Sequence, residues 1–311
     1  VFRDAHAMAV DAICSHGDSV FGQGLDSPSD AQKMNQADMA QPAIFSLQYA
    51  LCALLKDLGI QPSAVIGHSA GEIAAACVSG CLSLEDAARV CSVRSRFQQT
   101  LAGKGRMLAL SLSPNQIEDL IADYPQVCVA AVNSPQSVTL SGNTEQLETL
   151  ESSLLKGVFR KFLRVDIPYH SAAMEAIQDP LQAQLRNLKP TKGTIPFYST
   201  VLGNVSTTLS LDAAYWWKNV RATTQFSAAL KACFDNGYQK MVEIGAHPVL
   251  KNSILETAMD AKVQIETFHT LRRKEEEAVG LGATLIQLYE AGIHVHWKHW
   301  QPISGNYVQL P

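Results

Sequence analysis

The sequence predicts a mixed α/β fold in which a small β-α-β-β-α-β unit is inserted into a larger α/β unit. Three observations carry this reading. Helical apolar patterns alternate with short β-branched runs in the first third of the chain, the texture changes to four strands and two helices between Gly105 and Asp166, and helix-and-strand alternation then resumes.

Taken in order, Val1–Cys14 reads as a helix, and Pro42–Leu58 is apolar at helical spacing and stops at Gly59. Pro62 opens the short run SAVIG as a strand, and EIAAACVSG, rich in small residues, follows as a helix. Residues 84–102 form another helix, with Ser83 as N-cap and Glu85-Asp86 where the helix dipole favours acids. In the insert, MLALSLS, VCVAAVNSP, SVTLSG and VFRKFLRVDI read as strands, and PNQIEDLIADY and TEQLETLESSLLKG as helices; this order is that of a ferredoxin-like unit. Beyond it, Phe226–Gly237 is a helix, KMVEIGAHPVL a strand and turn, Glu275–Ala291 a helix, and HVHWKHW an edge strand.

The bulk composition bounds the function. A chain of 311 residues, 47% hydrophobic and 17% charged, can bury a large and a small core. The formal charge is −4 and no stretch clusters Lys and Arg with aromatics, which argues against a nucleic-acid partner. No apolar run is long enough to span a membrane, and the start, VFRDAHAMAV, has neither a signal run nor an initiator Met, so the sequence reads as a piece of a longer protein. The seven cysteines are scattered in apolar surroundings, as expected of reduced thiols in a cytoplasmic protein.

Gly67-His68-Ser69-Ala70-Gly71, between a strand and a helix, is the pattern of a nucleophile elbow, in which both glycines let the backbone pack around a Ser held in a strained turn. The helix that follows aims free N–H groups at a reacting carbonyl, so the Ala70 amide is the natural oxyanion donor. A Ser of ordinary pKa needs a base. Of nine histidines, His68 is adjacent and suits a packing or pocket role. His294, His296 and His299 fit an edge strand or, less well, a metal cluster, and His170 sits at a strand-to-helix junction where side chains project into clefts.

Gly67-His68-Ser69-Ala70-Gly71-Glu72, then Arg94-Ser95, Val165-Asp166, Tyr169-His170-Ser171 with Met174, and Glu243-Ile244-Gly245 with His247-Pro248 occur in this order. Together they resemble the acyltransferase domain of type I polyketide synthases, and the malonyl/acetyl transferase of animal fatty-acid synthase is similar. The likeness runs from Val1 to about Leu271. It implies an α/β hydrolase-like core at residues 1–104 and 167–271 with a short parallel sheet, the ferredoxin-like insert at 105–166, and a linker at 272–311 that folds back on a neighbouring ketosynthase, with Trp297 and Trp300 as contacts.

The resemblance assigns Ser69 as the acylated nucleophile and His170 as its base, with backbone carbonyls around Gly245 and His247 orienting His170. Arg94 would pair with the free carboxylate of a malonyl-type substrate, a role for which spacing alone does not separate it from Arg89 or Arg96. Gln41, His68, Asn133 and Tyr169 match positions near the pocket. The implied reaction takes an acyl group from malonyl-CoA or methylmalonyl-CoA to the phosphopantetheine thiol of an acyl carrier protein, with no bound cofactor and no metal. Ala70 and the bulk of Tyr169 lean toward malonyl over methylmalonyl, a preference of one methyl group worth about 1–3 kcal/mol.

The family's Gly-Gln-Gly loop, which would complete the oxyanion hole, does not precede Val1–Cys14, and the later FGQG at 21–24 is expected to be a surface-loop coincidence. Rival readings are an α/β-hydrolase of the thioesterase type, which needs the order Ser, Asp/Glu, His and an HGGG-like loop, a patatin-like lipase, which needs an Asp-Gly pair, and a non-catalytic docking domain that keeps the fold.

Overall fold

The computed structural model describes residues 1–16, 33–154, 156–206 and 210–300. FGQG at 21–24 and the end of the expected linker, 301–311, lie outside the described residues.

Helix α1 (Phe2–Cys14) packs on α2 (Ala37–Asp57), and both pack on α4 (Leu84–Gln99). Helix α2 begins at Ala37 instead of Pro42: Gln36 is the N-cap, and Pro42 is accommodated inside the helix. A proline this close to the start loses only one backbone bond, so it did not have to mark the first turn. The stop at Gly59 is as expected. Gly59 adopts φ +84°, and the Ile60 amide returns to the Leu55 carbonyl at 2.8 Å, closing the last turn.

Strand β1 (Val65–Ile66) leads through the elbow into α3 (Gly71–Val78), and Ser83 caps α4 by accepting from the Asp86 amide at 3.1 Å. β1 pairs in parallel with β6 (Phe197–Ser199), which pairs antiparallel with β7 (Asn204–Ser206). This short sheet and its helices share one core, including Ile13, Phe45, Ile73, Val90, Met174 and Trp216.

The insert is ferredoxin-like. Strands β2 (Arg106–Leu110), β3 (Val127–Ser134), β4 (Ser137–Gly142) and β5 (Arg160–Phe162) form an antiparallel sheet in the order β3-β4-β2-β5. Helices α5 (Pro114–Ile121) and α6 (Thr144–Ser153) bury Ile117, Leu147 and Leu150 against Leu108, Leu110, Val138 and Leu140, which form a separate core. The last strand is shorter than expected, because only Arg160–Phe162 pairs with β2 before the chain turns toward Pro168.

The remainder comprises a 3₁₀ turn (Ala172–Ile177), α7 (Gln178–Leu185), α8 (Ala213–Arg221), α9 (Phe226–Asp235), β8 (Lys240–Glu243), α10 (Lys251–Asp260), β9 (Glu266–His269), α11 (Glu277–Glu290) and α12 (Trp297–Trp300). β8 and β9 make a parallel pair. The segment expected as an edge strand is the short helix α12 instead. The His296 amide is held by the Leu58 carbonyl at 2.8 Å and the Trp297 amide by Val295 at 3.0 Å, a turned backbone that leaves no ladder to pair. Residues 272–279 are exposed, but the segment from Gly280 to Trp300 is packed: Leu285, Leu288 and Val295 share a core with Leu55, Leu58, Ile60 and Phe268, and Trp297 and Trp300 pack on it. Among the described residues no helix is long and apolar enough to cross a membrane, and no cluster of three or more His, Cys, Asp or Glu is arranged to hold a metal ion.

Candidate active site

The elbow sits where β1 ends. Ser69 has φ +52°, a left-handed backbone that costs a non-glycine residue of order 1–3 kcal/mol. Gly67 makes the turn possible: a Cβ there would lie 2.3 Å from the Glu72 amide nitrogen. Gly71 does not share this role, since a Cβ on it would meet nothing within 4 Å. The expectation that both glycines are needed is therefore corrected to one. Hydrogen bonds across the turn are given by the Gly71, Glu72 and Ile73 amides to His68, Ser69 and Ala70, at 2.9, 3.1 and 3.1 Å. The Ala70 N–H, at the N-cap of α3, is not among them.

His170 lies across the cleft, also left-handed at φ +59°, on a loop braced by the Ser171 hydroxyl, which donates to the Pro168 carbonyl at 2.7 Å. Its Nε2 is 2.8 Å from Ser69 Oγ. Its Nδ1 is 2.9 Å from the Ala222 carbonyl, which only accepts, so Nδ1 carries the proton and Nε2 is the free acceptor facing the hydroxyl. Gly245 and His247 do not orient this ring. The Gly245 amide donates to Thr270 Oγ1 at 3.0 Å and His247 Nδ1 accepts from the Arg273 amide at 3.3 Å, so both face the β8–β9 side. Ala222 takes the role expected of that loop because it ends α8 directly behind the ring. His170 is 4% exposed, and burial, then Arg94 and His68, push its pKa down to about 3.

Arg94 reaches the same hydroxyl. Its Nη2 donates to Ser69 Oγ at 3.0 Å, Nη1 donates to Gln41 Oε1 at 2.5 Å and Gln98 Oε1 at 3.1 Å, and Nε donates to Asn219 Oδ1 at 3.1 Å. All four partners are neutral. The guanidinium is 2% exposed, and burial lowers its pKa to about 10, which leaves it charged at neutral pH. The structure separates the three arginines of α4: Arg89 and Arg96 are half-buried, and Arg96 turns outward to Gln184 at 2.6 Å.

The pocket residues lie on two sides. Gln41 and Tyr169 stand beside Arg94, and Gln41 Nε2 donates to Gln98 Oε1 at 2.9 Å. His68 points away from Ser69, its Nε2 2.8 Å from Asn133 Oδ1 and its ring edge-on to Phe226. Asn133 is in turn fixed by donating to Thr139 at 3.0 Å. Burial lowers the His68 pKa.

Sequence reasoning missed four residues here. Glu72, fully buried, accepts from the Thr200 amide at 2.5 Å, Thr200 Oγ1 at 2.9 Å, the Tyr215 hydroxyl at 2.8 Å and Asn219 Nδ2 at 2.8 Å. Thr224 Oγ1 stands 3.5 Å from His170 Nε2. A Glu among alanines at a helix start was a signal for Glu72; Asn219, Thr224 and the carbonyl of Ala222 carry none in the local sequence.

Polyketide synthase GfsE of Streptomyces halstedii is 39% identical over 317 aligned positions, covering 100% of this chain and 8% of that protein. NorA of the spectinabilin polyketide synthase system of Streptomyces orinoci is 37% identical, covering 96% of this chain and 16% of that protein. The chain thus spans a small fraction of these relatives. Among solved structures, the acyltransferase domain from module 8 of the salinomycin polyketide synthase superposes with a TM-score of 0.90 at 34% identity, over 96% of this chain and 71% of that one. A loading acyltransferase of the avermectin modular polyketide synthase gives 0.87 at 36% identity, over 93% and 92%. Malonyl CoA-acyl carrier protein transacylase of Clostridium perfringens shares the fold at a TM-score of 0.78 and 22% identity, over 93% of this chain and 91% of that one. The family model described as the acyl transferase domain matches residues 1–294, which takes in the elbow, the inserted subdomain and every residue of the cleft, and the chain belongs to that family.

Proposed function

We propose that this domain moves a malonyl-type acyl group from CoA to the phosphopantetheine thiol of an acyl carrier protein through an acyl-Ser69 intermediate. The observation that carries this is the convergence of a neutral imidazole nitrogen and a charged guanidinium on one hydroxyl, at 2.8 and 3.0 Å.

In the first half-reaction Ser69 Oγ attacks the thioester carbonyl as its proton passes to His170 Nε2. The Oγ–C bond forms, the oxyanion rests on the Ala70 N–H, and the C–S bond breaks as His170 returns the proton to the departing CoA sulfur. The second half-reaction runs the same steps in reverse, with the carrier thiol giving its proton to His170 and taking the acyl group. Arg94 holds the substrate's free carboxylate, which its planar, permanently charged fork suits. It also steadies the acyl-enzyme for the carrier. The Ala222 carbonyl replaces the carboxylate of a triad by fixing the proton on Nδ1.

Tyr169 beside Gln41 and Arg94, with Ala70 after the nucleophile, favours malonyl over methylmalonyl. We take an adjacent ketosynthase as the neighbouring domain, supported by the polyketide synthases among the relatives, and a cytoplasmic setting, supported by the use of CoA thioesters. Intact-mass analysis after exposure to malonyl-CoA tests the reading: a malonyl adduct is expected on the chain and none on Ser69→Ala. Equal labelling from malonyl-CoA and methylmalonyl-CoA in competition would remove the proposed preference. Discharge to water at the rate of discharge to a carrier thiol would make the domain a hydrolase.

A further inference from the structure

Asn219 sits on the buried face of α8, four residues after Tyr215, and is 2% exposed. Its amide makes three hydrogen bonds. Oδ1 accepts from Arg94 Nε at 3.1 Å, and Nδ2 donates to the Ser69 carbonyl at 3.1 Å and to Glu72 Oε2 at 2.8 Å. The chemistry of the partners fixes which end is which. Nε of an arginine only donates, whereas a carbonyl and a carboxylate accept, so a flipped amide would set N–H against N–H and oxygen against carboxylate. One side chain therefore ties together the guanidinium plane, the strained Ser69 backbone and the buried acid of α3.

The charge balance gives this tie a purpose. A buried guanidinium with only neutral hydrogen-bond partners is costly, and an acid in direct contact would relieve that cost. Such an acid would also occupy the charge that a substrate carboxylate needs. In this cleft the acid stands one residue back: Glu72 is held by four donors and reaches Arg94 only through the Asn219 amide. Attraction at that remove keeps Arg94 in place and leaves its charge open toward Ser69.

We propose that Asn219 is a positioning residue for carboxylate recognition, holding Arg94 in the plane that reads the substrate's free carboxylate, with Glu72 as the remote counter-charge. This rests on the acyl-transfer reading of the cleft. It differs from a merely structural role in that loss of Asn219 must harm carboxylated substrates selectively.

The test compares the rate of adduct formation on Ser69 from malonyl-CoA and from acetyl-CoA, as a ratio of kcat/KM values. Asn219→Ala is expected to lower that ratio about tenfold, mainly through KM for malonyl-CoA, and to change it less than about twofold when Arg94 is already Ala. Asn219→Asp, nearly the same shape, places an acid on Nε and is expected to lower the ratio as well; it decides the matter if the alanine variant does not fold. A ratio that moves less than about threefold in the folded variants, with both substrates slowed alike, overturns the proposal, as does full additivity with Arg94→Ala. Failure of the unmodified chain to form an adduct from either thioester is a different result and counts against the acyl-transfer reading itself.

Discussion

Gly67 and Gly71 flank the same serine and differ in what surrounds them. A methyl group on Gly67 would meet backbone at 2.3 Å, and backbone cannot step aside as a side chain can. Gly67→Ala should cost about 3 kcal/mol or more in thermal or urea unfolding and should abolish adduct formation by opening the turn. Gly71→Ala enters open space at the first position of α3 and should be neutral, or stabilising by up to about 1 kcal/mol, with activity retained. Equal losses in the two variants would show that the elbow is packed otherwise. His170 supports a prediction about pH. Its pKa of about 3 lies below the ordinary 6.5, so the folded state refuses a proton that the unfolded chain accepts. Stability from this group is complete above 6.5 and drains away as the pH falls toward 3. His68 is shifted in the same direction, and Glu72, whose carboxyl is pushed upward by burial, works oppositely as the pH rises above its ordinary 4.5. The drop in Tm between pH 7 and pH 5 should therefore be smaller in His170→Gln than in the unmodified chain, and an unchanged drop would refute the assignment. For the same reason the rate of adduct formation should stay flat down to about pH 5.5 instead of falling near 6.5.

Between elements, the segment after α8 is the joint that matters most. Thr224 forms a parallel bridge with Ala131 of β3, donating its amide to the Ala130 carbonyl and accepting from the Val132 amide, both at 2.9 Å. Thr223 Oγ1 adds a bond to the Val129 carbonyl at 2.7 Å. The edge of the inserted sheet thus clamps the stretch whose first residue, Ala222, orients His170. Thr224→Pro deletes the clamping donor and should slow adduct formation at least about tenfold, whereas Thr224→Val keeps the backbone pairing, loses only a 3.5 Å contact and should stay within about threefold. Similar losses in both would mean that the hydroxyl, not the pairing, is what His170 needs. This joint also marks where the sequence ceases to be readable. The order of the insert's strands and helices, the cap at Ser83 and the strand-Ser-helix turn follow from patterns within a dozen residues, and the structure has them. The identity of the carbonyl behind His170 does not, because any residue supplies one and only the tertiary path selects Ala222. Expecting it near Gly245 borrowed a position from a resemblance; in the structure that loop is held by other partners, with Gln48 of α2 donating to the Ile244 carbonyl and the Gly245 amide donating to Thr270.

At the scale of the whole molecule, the described residues form four hydrophobic cores, the fourth packing α9 on α10 through Phe226, Leu230, Phe234 and Ile254. The first core carries the elbow and Arg94, the ferredoxin-like core carries Asn133 and the β3 edge, and the third binds α11 to the C-terminal end of α2. Helix α2 links the first and third, since it bears Gln41 near its start and Leu55 near its end, and its Gln48 donates to the Ile244 carbonyl at 3.0 Å. A tail that merely trailed from the domain would be dispensable to this frame. Leu285, fully buried in α11, tests which description holds. Leu285→Ala removes packing from Leu55, Leu58 and Phe268 and should destabilise by about 2–5 kcal/mol, the range for emptying a fully buried leucine site. If α11 belongs to the fold, that loss must appear as a lower Tm for one cooperative transition followed equally by far-ultraviolet circular dichroism and by tryptophan fluorescence in a Trp297→Phe, Trp300→Phe background, because the remaining Trp216 and Trp217 pack in the first core and not the third. An early, separate transition that leaves the Trp216 signal at its original temperature would make residues 272–300 an independent appendage. The loosened end of α2 should also reach Arg94 through Gln41, so the KM for malonyl-CoA is expected to rise at temperatures well below the transition while Ser69 is still acylated by acetyl-CoA at its former rate.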